Sequence, residues 1–330
     1  MDYRKLGNTD LEVSRIGIGT AALGRPGYIN LGHGDDLNHE YDPVLMEKNM
    51  FDVLDIALSF GVKYFDTARS YGRGEEFLGK WLKDKVEGTE LTVGSKWGYT
   101  YTADWKVTAI HHEVKDHSLE VLNRQWEETK DNLDGYIDLY QIHSATLDSG
   151  VLKNIEVLDR LWELKNEGVK IGLSVSGKNQ PEIINEALNV KRAGKLLFDT
   201  VQATWNILET SASVMLEKAS KAGMGVIIKE GVANGRLTDR NQESSFAGKK
   251  QVLQSLAEKH AVTIDAIAIA FVLAQPWCDV VLSGASNIDQ FESNLKANGV
   301  QFSEEDLNEL RRLVEEPKTY WNSRKELDWN

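Results

Sequence analysis

Eight short apolar runs, each followed by a stretch with apolar residues at helical spacing, constrain this chain more than any other feature. The runs are 16–20 (IGIGT), 63–66 (KYFD), 91–96 (LTVGSK), 136–143 (YIDLYQIH), 170–175 (KIGLSV), 200–205 (TVQATW), 224–229 (MGVIIK) and 279–283 (DVVLS). Between them lie amphipathic segments such as EKNMFDVLDIALSFG and NIEVLDRLWELKNEG, the pattern of helices with one apolar face. Gly61, Gly168 and Gly223 stand where helix C-terminal caps belong. The runs are nearly continuous in apolar residues, as parallel strands covered on both faces are. Eight strand–helix units close naturally into a (β/α)8 TIM barrel. An open doubly wound α/β sheet is the alternative, but no GxGxxG follows the first run.

Three segments depart from the plain repeat. YRKLGNTDLEV reads as an N-terminal β-hairpin around residues 7–10, placed to plug the barrel's N-terminal end. SEEDLNELRRLVEE opens on a Ser-x-x-Asp capping pattern and predicts an extra C-terminal helix. Residues 21–43 form a connection long enough to serve as a substrate lid.

A chain of 330 residues with 41% hydrophobic content can bury a large core. No Pro/Gly/Ser-rich linker divides it, so residues 1–330 are expected to form a single barrel domain. The net charge of −13 and pI of about 5.1 argue against nucleic acid or anionic membrane as partners. One cysteine, Cys278, permits no internal disulfide. With no signal-peptide pattern at MDYRKLGNTD and no run long enough to span a bilayer, a cytoplasmic protein is expected.

Four polar residues come at or just past strand ends: Asp66 and Tyr71 in KYFDTARSYG, Lys96 ending LTVGSK, and His143 ending YIDLYQIH. In a parallel barrel those ends share the face where catalysis occurs. A phenol titrates near 10, and a neighbouring ammonium favours its ionised form. Lys96 supplies that ammonium, Asp66 holds the lysine, and His143 can bond a carbonyl oxygen. Singly, each has a structural reading: a turn carboxylate, a packed ring, a solvated cation, a core imidazole. Their convergence on one face favours proton transfer to or from a carbonyl oxygen.

At this point the chain resembles the aldo-keto reductase superfamily, from KLGNTDLEVSRIGIGT through GASNIDQFESN. The Asp-x-x-x-x-Tyr spacing, the Gly-Ser-Lys and the Gln-Ile-His stand in the family's order on the family's strands. The resemblance implies a (β/α)8 barrel, reversible reduction of an aldehyde or ketone, and a nicotinamide cofactor bound without a Rossmann motif. Tyr71 would be the proton donor, Asp66 and Lys96 would tune it, and His143 would orient the substrate.

The resemblance also implies cofactor contacts. Gly19 and Thr20 match residues beneath the nicotinamide ribose, with Asp66 beside them. Ser174 and Gln202 match a pair that bonds the carboxamide, although Val175 stands in place of the usual Asn. Lys229 replaces the tyrosine that many members stack on the nicotinamide. The loop EGVANGRLTDR, with Glu230, Gly231, Val232 and Gly235, corresponds to the segment over the pyrophosphate, and Arg240 to a basic residue near it. Gly284, Ser286, Gln290 and Asn294 match positions around the adenosine. No Arg or Lys lies within 284–294. Helix-end amides, Lys249 or Lys250 could meet a 2′-phosphate; the resemblance favours NADP(H), and NAD(H) stays possible.

Trp97, Tyr320 and Trp321 are expected at an apolar, aromatic substrate pocket. His111, His112 and His117 lack a metal-ligand spacing and read as loop residues, so no metal is expected. Two rival functions are a nucleotide-sensing subunit similar to potassium-channel β subunits and a metal-dependent hydrolase. The second would want a His-x-His after the first strand, where the chain has Gly17-Ile18-Gly19-Thr20. Neither the carbonyl substrate nor the oligomeric state is legible.

Overall fold

A computed structural model describes residues 1–85 and 90–330. Eight parallel strands close into a barrel: β1 (Ile16–Gly19), β2 (Tyr64–Asp66), β3 (Thr92–Trp97), β4 (Leu139–Ala145), β5 (Lys170–Val175), β6 (Thr200–Thr204), β7 (Gly225–Lys229) and β8 (Val280–Ser283). Each strand pairs with its neighbours in sequence, and β8 closes on β1 with Val281 opposite Ile16 and Ser283 opposite Ile18. Helices pack outside. Asp42 caps the N-terminus of Pro43–Ser59, Ser118 that of Leu119–Asn132 and Asn154 that of Ile155–Asn166, each side-chain oxygen satisfying amides the helix cannot. Gly61, Gly168 and Gly223 have φ of +83°, +108° and +91°, the left-handed turn that ends a helix at least cost with glycine.

Two apolar cores result. The larger lies between strands and helices. The smaller fills the barrel and includes Leu6, Val13, Tyr64, Leu139, Ile227, Val280 and Leu282. Leu6 and Val13 come from the predicted hairpin, Tyr3–Lys5 paired antiparallel with Glu12–Ser14. Its turn is seated on the N-terminal mouth: the Asn8 amide donates to the Gly223 carbonyl at 2.9 Å and the Gly7 amide to Asp279 Oδ2 at 3.3 Å. A Cβ on Gly7 would stand 2.3 Å from the Gly225 nitrogen, so the contact admits only glycine.

The structure departs from the expected elements in several places. β4 begins at Leu139 rather than at residue 136, because Asp134 and Gly135 take positive φ and the chain is still turning at Tyr136. Two helices, Ala247–His260 and Ile264–Leu273, connect β7 to β8. Beyond the expected C-terminal helix, Glu304–Arg311 with a Ser303/Asp306 capping box, a further helix runs Pro317–Lys325. Its tail returns over the C-terminal mouth, where Asn330 and Tyr28 exchange backbone hydrogen bonds. No helix among the described residues is long and apolar enough to cross a membrane.

Candidate active site

The strand ends open on a cavity of about 450 Å³ at the C-terminal mouth. Asp66, Tyr71 and His143 line it, and Lys96 lies behind them with its side chain wholly buried. The Lys96 ammonium is ion-paired with Asp66 and donates to the Thr67 carbonyl at 2.7 Å. It stands 4.9 Å from the centre of the Tyr71 ring. His143 meets that ring edge-on at 5.5 Å between centroids. The four residues singled out in the sequence are therefore together.

Asp66 is a junction that the sequence did not reveal. Its Oδ2 accepts from the Tyr64 hydroxyl at 3.1 Å, from Gln141 Nε2 at 3.3 Å and from Gln202 Nε2 at 2.9 Å. Tyr64, Gln141 and Gln202 sit on β2, β4 and β6, and their side chains meet the carboxylate inside the barrel. A Cβ on Gly94 would approach the Tyr64 oxygen to 2.7 Å, so glycine on β3 makes room for that hydroxyl.

The electrostatics correct one expectation. Burial first, and then the Asp66 charge, push the Tyr71 phenol well above its ordinary value. Arg25, absent from the sequence reading, is the cation that opposes this. Its guanidinium lies 5.1 Å from the Tyr71 ring centre. At neutral pH the phenol is therefore a proton donor. Burial, with the Lys96 charge second, holds His143 well below its ordinary value, so its imidazole is neutral. Ser70 Oγ lies 3.4 Å from His143 Nδ1.

The expected cofactor residues divide. Gly19, Gln202, Lys229, Glu230, Gly231, Val232 and Gly284 line the cavity. Thr20, Ser174, Gly235, Arg240, Ser286, Gln290 and Asn294 do not. Ser174 is buried and accepts from the Ser144 amide at 2.8 Å. The Thr20 amide donates to the Asp66 carbonyl at 2.9 Å. Gly235 packs under Leu31. Arg240 pairs with Asp36, whose other oxygen accepts from Ser286 Oγ at 3.1 Å. Gln290 accepts from the Ser286 amide at 3.0 Å, and Asn294 bonds Ser283 and Asp265 at 2.7 Å each.

Lys229 donates to Ser176 Oγ at 2.8 Å and Thr204 Oγ1 at 2.7 Å. Burial lowers its ammonium to about 8, against the pull of Glu230. Glu230 takes φ of +57° and is gripped by Arg324 from the C-terminal helix, with a 2.9 Å bond from Nε to Oε2. Burial alone would raise its carboxyl, but the charges of Arg324 and Lys229, with hydrogen bonds from Arg324 and Thr204, hold it down at about 2.

The pocket wall is the largest correction. Trp97 is fully buried and does not line this cavity. Tyr320 is buried with its hydroxyl accepting from Asn206 Nδ2 at 2.9 Å, and Trp321 packs against the core. The wall instead takes Arg25 and Tyr28 from the loop after β1, Tyr99, Glu113 and Lys115 from an antiparallel hairpin after β3 (Tyr99–Tyr101 paired with Glu113–Lys115), and Trp329 from the tail. Ala21, Ala22, Ile29 and Asn30, from the same connection 21–43, line the cavity as well. Nor do the three histidines all decorate a loop: His112 stacks on Trp329 at 3.9 Å, and buried His117 bonds the His143 carbonyl at 2.9 Å. The Trp97-Gly98 step held a signal for this, since a Cβ on Gly98 would collide with the His117 ring.

The model of the aldo/keto reductase family matches residues 15–315. The chain is 26% identical over 333 residues to an uncharacterized oxidoreductase, YqkF, of Bacillus subtilis (strain 168), covering 94% of this chain and 96% of that one. It is also 26% identical over 336 residues to L-galactose dehydrogenase of Arabidopsis thaliana, covering 96% of each. Among solved structures, the holo form of aldo-keto reductase AKR11C1 from Bacillus halodurans shares the fold, with a TM-score of 0.75, 24% identity and coverage of 96% and 97%. A family match that begins just before β1 and runs past β8 leaves one assignment: the chain belongs to the aldo/keto reductase family.

Proposed function

We propose that this oxidoreductase is an NAD(P)H-dependent carbonyl reductase that interconverts an aldehyde or ketone and its alcohol, with Tyr71 as general acid and base. The observation that carries the reading is the buried Lys96–Asp66 pair behind a Tyr71 whose phenol is held protonated in the cavity, beside a neutral His143.

The cavity fits a dinucleotide on its own chemistry. Gln202 spends its Nε2 on Asp66, which leaves Oε1 as an acceptor for a carboxamide. Asn234 lines the cavity, and its buried Oδ1 has no partner among the described residues, as an acceptor awaiting a ribose hydroxyl would. Lys229 offers an ammonium suited to a phosphate. A reduced nicotinamide bound there supplies the hydride. Gly19 and Gly284 keep the wall free of side chains, and Gly231 and Val232 cover it.

The protein's own groups do the rest. His143, neutral and held through its main chain by His117, donates to the substrate oxygen and sets its direction. Tyr71 gives that oxygen its proton, and Lys96 stabilises the phenolate left behind. Asp66, fed by four donors, keeps the ammonium in place. In the oxidative direction the phenolate takes the proton back, so a raised phenol makes reduction the easier direction near neutrality.

A nucleotide-sensing role is the other reading, and the names of the relatives above do not favour it. Steady-state oxidation of NADPH and NADH over a panel of aldehydes, ketones and sugars tests the proposal. Multiple turnovers per chain support it, and tight cofactor binding without turnover would transfer the chain to the sensing class.

A further inference from the structure

The cavity wall beside Tyr71 carries unspent polar capacity. Arg25 is almost wholly buried, its guanidinium within about 5 Å of the Tyr71 and Trp329 ring centres. It donates to the Ser70 carbonyl at 3.1 Å and to Glu113 Oε2 at 3.0 Å. Among the described residues nothing donates to the other Glu113 oxygen. Two residues on, Lys115 spends one donor on the Ser144 carbonyl at 2.9 Å and has no carboxylate within 4.0 Å among the described residues. Its ammonium, 5.2 Å from the Tyr99 ring centre, is lowered by burial. An ammonium has three donors and a carboxylate about four acceptor sites, so both groups have more to give.

Resting on the carbonyl-reductase reading, we infer that the substrate is a neutral, polyhydroxylated carbonyl compound or its polyol, recognised by Glu113 and Lys115 beside the aromatic rings of Tyr28 and Tyr99. An apolar substrate would strip water from a carboxylate and an ammonium and return nothing. An anionic one would meet Lys115 but also the open face of Glu113. Neighbouring hydroxyls satisfy both, one donating to Glu113 and one accepting from Lys115, while C–H faces lie beside the rings. The fixed Arg25–Glu113 pair sets where the first hydroxyl sits relative to Tyr71.

The test compares kcat/KM for glyceraldehyde with that for propanal, which has the same carbon chain without hydroxyls. Glyceraldehyde is expected to exceed propanal by about a hundredfold or more, since sites built to bond a substrate hydroxyl reject its deoxy analogue by up to about ten-thousandfold or beyond. Glu113→Gln, which can still accept from Arg25, and Lys115→Met should each shrink that ratio, with thermal unfolding reporting that the variants fold. The wild-type comparison stands even where a variant does not. Propanal or hexanal matching glyceraldehyde would overturn the inference and leave the reductase reading intact. Succinic semialdehyde surpassing glyceraldehyde would overturn it in favour of anion selection by Lys115. No turnover of any carbonyl with either cofactor would sink the reductase reading, and this inference with it.

Discussion

Tyr71 carries the sharpest expectation at the scale of single residues. Tyr71→Phe keeps the ring but removes the proton, and general acid catalysis contributes about a hundred- to ten-thousandfold. Reduction should fall by that factor while cofactor affinity, read by fluorescence quenching, is retained; near wild-type turnover would mean another group is the acid. Lys96→Met tests the tuning. Losing the ammonium disfavours the phenolate, so a phenol already raised by burial and Asp66 rises further. The oxidative reaction, which needs the phenolate, should then switch on at higher pH, by one unit for about every 1.4 kcal/mol of lost stabilisation. Tyr64→Phe should move the same limb in the same direction by less, because it removes one of several donors to Asp66 and leaves that charge less compensated. Superimposable basic limbs in the three proteins would assign Lys96 and Tyr64 to structure alone. Lys229 titrates from the opposite side. A lysine lowered to about 8 is charged below that pH and loses its proton as pH rises through it. If its ammonium meets the pyrophosphate, the Kd for NAD(P)H should rise above pH ~8 by roughly one to two decades, the worth of one charge-assisted hydrogen bond. Lys229→Met should bind weakly with no break there, and a wild-type Kd flat from neutrality to alkaline pH would remove Lys229 from the phosphate.

Between elements, the decisive contacts join segments far apart in the chain. Asp36, in the loop after β1, takes Arg240 from beyond β7 and Ser286 from beyond β8, the two residues that family resemblance assigns to the nucleotide. A carboxylate holding both partners competes with a phosphate for them. Asp36→Ala should therefore tighten dinucleotide binding, by about tenfold for one freed charge-assisted contact. Calorimetric titration with both cofactors checks this, and an unchanged Kd would mean that Arg240 and Ser286 do not meet the nucleotide. Such contacts also mark where sequence reading ends. The strands were legible because burial on both faces makes their residues almost uniformly apolar, and the grouping of Asp66, Tyr71, Lys96 and His143 because the ends of three neighbouring strands must share a mouth. Helix ends at Gly61, Gly168 and Gly223 were legible because a positive φ selects glycine. The Asp66 junction was not, since Tyr64, Gln141 and Gln202 each look like ordinary strand residues until the barrel closes. Arg25 lies on a loop whose path no local periodicity sets, and Glu113 and Lys115 on a three-residue strand, too short to show periodicity, that pairs with Tyr99–Tyr101. Trp97 was misread for a related reason: being next to Lys96 puts it on the opposite face of β3, in the outer core rather than the pocket. The helix Pro317–Lys325 was missed despite a proline at its first turn, because its mean hydropathy is low and tertiary contacts at the mouth, Tyr320 to Asn206 and Arg324 to Glu230, fix it.

For the whole molecule, the barrel separates stability from chemistry by its two ends. The hairpin closes the N-terminal mouth with Leu6 fully buried among Tyr64, Ile227 and Val280, while the cavity opens at the other. Leu6→Ala removes apolar contact and leaves a void that the rigid strand ends around it can fill only in part. Losses for such truncations are about 2–5 kcal/mol, and the upper half is expected where the surroundings cannot collapse. Urea unfolding should show the midpoint falling with an unchanged slope, since the surface exposed on unfolding stays nearly the same. The link between the ends is Tyr64, which packs on the hairpin side and bonds Asp66 on the other. If that link is stiff, repacking around an alanine at position 6 shifts the Tyr64 ring, and the pH–rate profile moves with it. Because the Tyr64 hydroxyl is boxed in by Gly94 and anchored on Asp66, the ring should stay put, and the folded variant should keep its cofactor Kd and the basic limb of its profile. Loss of stability accompanied by a displaced limb would show that the floor of the barrel helps set the charge at its mouth.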